Sequence, residues 1–74
     1  MPRITLAFRL SGSQAQHDLI HEFSLHRDVV ATPDEVDGSP VVRIETTDSA
    51  GATWEVRATV GMFDDRAVEL KDQS

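Results

Sequence analysis

The chain contains no cysteine, no tyrosine and no asparagine, and its one lysine is Lys71. The lack of cysteine excludes disulfides, thiolate metal sites and a cysteine nucleophile together. Aromatic residues are scarce: Trp54, Phe8, Phe23 and Phe63. Proteins that read single-stranded nucleic acid stack bases on aromatic rings, so that class begins without its main tool. No apolar run approaches the ~18 residues of a membrane-spanning helix. The opening "MPRITLAFRL" alternates apolar and polar residues where a signal peptide would carry an apolar block. A membrane is therefore not an expected partner, and the expected location is the cytoplasm. Catalytic signatures are also missing. There is no G-x-S-x-G and no phosphate-cradling glycine loop. The chain is not expected to be an enzyme, and no cofactor is expected.

What is present is acid. Thirteen Asp and Glu oppose seven Lys and Arg, for a net charge of −6. Phosphate binding requires Lys and Arg in excess, so nucleic acid is disfavoured and a basic protein partner is favoured. The 74 residues form one small domain, 1–74. A domain of this size buries only about 60% of the surface its unfolded chain exposes. Small chains often draw further stability from oligomerisation, which makes a homodimer a candidate.

Periodicity organises the chain. In "RITLAFRL", Ile4, Leu6, Phe8 and Leu10 point one way, while Arg3, Thr5, Ala7 and Arg9 point the other, the pattern of a half-buried strand. Gly12 breaks the run. Ser13 with Gln16 fits a capping box and predicts a helix over about 13–27. Its apolar face is Ala15, Leu19, Ile20 and Phe23. Segment 29–38 is ambiguous. Val29 to Ala31 suit a short strand, while "TPDE" offers a Thr32 cap with Pro33 at the first helical position. A loop with one helical turn, ended by Gly38, is the expectation.

"VVRIETT" and "TWEVRATV" alternate and read as a hairpin joined by "DSAG". Val42, Ile44 and Thr46 would share a face with Trp54, Val56, Ala58 and Val60. This hairpin sets Glu45 opposite Glu55 and Arg43 opposite Arg57, an unfavourable pairing unless diagonal contacts or a shifted register relieve it. Gly61 suggests a bulge. Asp64 and Asp65 suggest a turn into a last strand over 66–71, with a short helix from Asp64 as the alternative, and "KDQS" reads as a frayed tail. The expected fold is α+β: a two-layer sandwich with one helix on an antiparallel sheet of three to four strands, in the order β-α-β-β-β.

All three histidines fall within "HDLIHEFSLH". His17 and His21, one helical turn apart, make a chelating pair that weakly qualifies as a metal site. His26 points well away from both, so the three cannot share one ion on a straight helix. A catalytic zinc needs a third protein ligand and a shielded cleft, and a polar helix face is the simpler reading. His26 follows Glu22 by four residues and would gain from that carboxylate when protonated. Arg3, Arg9, Arg43 and Arg57 would share the outer sheet face, interleaved with Glu45 and Glu55, which reads as cross-strand ion pairing.

These features together suggest a small acidic, non-enzymatic protein-binding module. It would act as an inhibitor, antitoxin or accessory subunit, of the kind phages and plasmids encode, docking on a larger basic protein. The expected contact residues are the acidic tips Asp34, Glu35, Asp37, Asp64 and Asp65, with Phe63 as an aromatic anchor. Two alternatives stand beside this reading. One is a homo-oligomeric structural protein joined through the arginine-bearing face or an edge strand, and the other is a weak metal-binding protein using His17 and His21.

Overall fold

The computed structural model describes residues 2–70. Strand β1 (Arg3–Arg9) follows the period-two pattern, with Leu6, Phe8 and the following Leu10 each no more than 6% exposed. Helix α1 (Ser13–Phe23) buries Leu19 and Phe23, and Ala15 and Ile20 pack beside them. Its amino end differs from the sequence expectation. Gly12 is the N-cap and no side chain caps it. Gln16 is drawn elsewhere: its amide nitrogen donates to the carbonyls of Asp34 at 3.0 Å and Val41 at 2.8 Å, tying the helix to the sheet. The helix also stops at Phe23 rather than Arg27. The Leu25 and His26 amides bond the carbonyls of Glu22 and Phe23, three residues back, which tightens the chain into a turn.

Segment 29–38 is strand, not a helical turn. Strand β2 (Val30–Val36) pairs antiparallel with β3 (Ser39–Thr47), with Val36 opposite Ser39. The two residues between them, Asp37 at φ 52° and Gly38 at φ 79°, both take positive φ. This is the two-residue hairpin turn whose twist matches the strands, and Asp-Gly is among its preferred pairs. Pro33 is tolerated because β2 is an edge strand, hydrogen-bonded only to β3.

The expected hairpin partner of β3 is a helix. Residues Ala50–Phe63 form α2, capped by Ser49, whose hydroxyl accepts the Ala52 N–H at 3.2 Å. Thr53, Val56 and Val60 stand at spacings of three and four and are buried. Gly61 therefore lies in a helix and not in a bulge. The physical reason is coverage. A four-stranded sheet presents more apolar face than an 11-residue helix can cover, and α2 covers the remainder. The helical solution also removes the Glu45–Glu55 and Arg43–Arg57 oppositions. Strand β4 (Val68–Leu70) closes the sheet. The tail "KDQS", including the expected last strand residue Lys71, lies outside the described residues.

The element order is β-α-β-β-α-β and the sheet order is β2-β3-β1-β4, antiparallel throughout. This is the ferredoxin-like arrangement of interleaved βαβ units. The α+β class and the antiparallel sheet stand as the sequence indicates, while the single helix becomes two. One core unites Leu6, Phe8, Leu10, Val42 and Ile44 of the sheet with Leu19, Phe23, Val56 and Val60 of the helices. Both helices therefore cover the same face, and the other face is open.

Candidate docking surface

Register brings the two acidic loops to one end of the molecule. Strand β2 ends at Val36 opposite Ser39, and Arg9 lies opposite both Val41 and Val68. The β2–β3 turn and the α2–β4 connection therefore lie at the same end of the sheet, three strand spacings of ~4.8 Å apart at the level of the strands. The chemistry divides the six expected contact residues into two sets.

Asp64 is structural. It is 6% exposed and caps the carboxyl end of α2. Its carboxylate accepts the Ser11 N–H at 2.7 Å, the Ser11 hydroxyl at 3.0 Å and the Arg66 N–H at 3.1 Å, so it clasps the end of α2 to the end of β1. Burial acts to raise its pKa. The bonds from Ser11 and Arg66 outweigh that and hold the carboxyl below its ordinary value. Asp34 is also engaged. It forms a 2.6 Å ion pair with Arg43 on the open face and accepts the Glu35 N–H at 2.8 Å. The Arg43 bond, then the Glu35 amide, lowers its pKa.

Glu35, Asp37, Phe63 and Asp65 are exposed. Among the described residues, no side-chain hydrogen bond or ion pair engages the three carboxylates. Phe63 is 40% exposed. Arg9 and Arg66 share this end, so the acidic excess is confined to the hairpin tip and Asp65.

The sequence reading missed the outer face of α2. Angles of ~100° per residue place Gly51, Trp54, Ala58, Gly61 and Met62 on one stripe, with Glu55 and Arg57 at its two margins. Trp54 is 68% exposed and Met62 84%, and Phe63 follows at the acidic end. Reading "TWEVRATV" as a strand turned Trp54 inward. The signal that would have found this face is Ser49 as a cap followed by apolar positions at 53, 56 and 60.

The arginines do not form one face. Arg3 pairs with Glu45 at 3.6 Å and Arg43 with Asp34 on the open side of the sheet. Arg57 belongs to α2, in the other layer, and pairs with Glu69 at 2.8 Å; that bond raises its pKa further. His17 and His21 are exposed on α1, and no group of three or more His, Cys, Asp or Glu able to hold a metal occurs among the described residues. His26 lies beyond the helix, its Nε2 3.5 Å from Glu22 Oε2 and its ring centroid 5.6 Å from that of Phe23. No described helix is long and apolar enough to cross a membrane. Comparison with protein-family models, with curated proteins and with solved structures gives no match to this chain.

Proposed function

We propose that the protein is a non-enzymatic binding module, an inhibitor or accessory subunit that docks on a larger protein. The docking surface runs along the outer stripe of α2 from Trp54 to Met62 and ends at Asp65 just beyond the helix, with the hairpin tip of Glu35 and Asp37 as a second acidic edge at the same end of the sheet. One observation carries this reading. A small acidic chain holds its one tryptophan 68% exposed on a helix stripe that bears no charge. Tryptophan and methionine are enriched at the centres of interfaces, and tryptophan is among the commonest energetic anchors. Carboxylates at one end of such a stripe suit a partner with basic side chains beside its apolar pocket, and they would speed association at low salt.

The test is affinity capture from the native host, run with the wild type, Trp54→Ala and the double variant Glu35→Lys/Asp65→Lys. Both variants alter exposed residues, so their circular dichroism should match the wild type. A stoichiometric partner lost with Trp54→Ala, and bound more weakly by the charge variant, supports the reading. A partner held equally by all three overturns it. A dimer of the chain itself, abolished by Trp54→Ala in light scattering, would make the stripe a contact between two copies instead.

A further inference from the structure

The end of the molecule away from the acidic tip carries a cleft of about 350 Å³. It opens between the turn after α1, the last residues of β3 and the first half of α2. Its volume falls within the ~300–1,000 Å³ usual for ligand pockets. Phe23 and Val56, 1% and 2% exposed, give it an apolar floor.

Thr46 stands at that floor. It lies opposite Ile4 in the register and continues the core-facing series Val42, Ile44. It is 2% exposed, yet its hydroxyl makes no hydrogen bond among the described residues. Among the described residues no fully enclosed side-chain oxygen lacks a partner, so the unpartnered Thr46 hydroxyl keeps a small exposure, and Thr46 lines the cleft. A buried hydroxyl without a protein partner costs stability, and valine would fill the same shape without that cost. The hydroxyl is thus available to whatever enters.

The rim supplies charge. Glu55 and Asp28 line the cleft, and neither forms an ion pair among the described residues. Arg27 is the one unpaired guanidinium there, and His26 is turned to Glu22. Two free carboxylates against one free guanidinium, on a chain of net charge −6, favour a cation.

We propose that this cleft is a binding site for a small amine with an apolar body. The body rests on Phe23 and Val56, the Thr46 hydroxyl bonds a polar hydrogen or lone pair of the ligand, and the ammonium group sits at Glu55. The site is separate from the α2 stripe and does not depend on the docking reading.

Three probes with one common body test this: 2-phenylethylamine, 2-phenylethanol and phenylacetate, each titrated into the intact protein and followed by amide NMR. The amine should give saturable shifts at Thr46, Ala52 and Val56, with the alcohol weaker and phenylacetate weaker still. Glu55→Gln, at an exposed position, should reduce amine affinity by roughly two- to fivefold and leave the alcohol unchanged. Thr46→Val keeps the side-chain shape and should weaken both amine and alcohol roughly three- to tenfold. No saturable shift at these residues with any probe overturns the proposal. So does phenylacetate binding best, or amine binding that Thr46→Val leaves intact.

Discussion

At the scale of single residues, the carboxylates of this protein divide by what surrounds them. Asp64 accepts three donors in a 6% exposed site and joins two elements, whereas Asp37 and Asp65 carry their charge in solvent. Removing Asp64 leaves the Ser11 and Arg66 donors without their acceptor, so Asp64→Ala should cost about 1–3 kcal/mol in urea unfolding at pH 7. The pH dependence follows from the lowered pKa of the folded carboxyl. Its stabilisation is fully present above the unfolded value of ~3.9 and is lost as pH falls through the lower folded value. The stability gap between wild type and Asp64→Ala should therefore narrow as pH falls below about 4. A gap that persists at low pH would show that the carboxylate charge is not what Ser11 and Arg66 hold. Nothing in the local sequence separated Asp64 from Asp65. Their neighbours in the chain are alike, and the difference is Ser11, 53 positions away.

At the scale of elements, α2 is the decisive case. The stretch 53–60 satisfies both periods, because Val56 and Val60 are even-numbered neighbours in a strand and also one helical turn apart. β-branched residues tilt local preference toward strand, and tertiary packing overrides it. The two readings predict opposite mutants. In the helix, Trp54 faces solvent, so Trp54→Ala should change stability by no more than about 0.5 kcal/mol in the absence of a partner. In a core-facing strand the same change would cost roughly 3–5 kcal/mol. Thermal denaturation of this one variant decides between them. The start of the helix is testable as well. Ser49→Ala removes the acceptor of the Ala52 N–H and should lower stability by about 0.5–2 kcal/mol. The β2–β3 turn was legible in principle, since Asp-Gly is a hairpin signal. It was obscured by Thr-Pro-Asp-Glu just before it, a sequence equally suited to starting a helix.

At the scale of the whole molecule, one core on one face of one sheet holds everything together. Net stability of roughly 0.05–0.15 kcal/mol per residue implies about 4–11 kcal/mol for a chain of this length. Leu19 is 0% exposed at the centre of that core, and Leu19→Ala should cost about 2–5 kcal/mol, enough to leave much of the population unfolded near the lower bound. Calorimetry at 37 °C would show this as a missing or strongly lowered transition. Sheet order sets the pattern of local stability. Strands β1 and β3 each have two neighbours, whereas β2 and β4 are edges and β4 is three residues long. Amide exchange should be slowest in β1 and β3 and fastest in β4. Equal protection across all four strands would contradict a core centred on β1 and β3.

The sequence by itself determined the α+β class, the antiparallel sheet, the first strand and its inward residues, and the apolar face of α1. Each rests on a period within one short segment, and such patterns need no knowledge of the remainder of the chain. It also determined the acidic balance and the absence of thiol and disulfide chemistry, since these are sums over residues. The tertiary structure decided the identity of α2, the exposure of Trp54, the clasp on Asp64, the ion pairs that divide the arginines between two layers, and the cleft over Thr46. All of these depend on which residues meet across long separations. A segment that fits two periods is settled by the apolar surface it must cover, and that surface exists only once the sheet has formed.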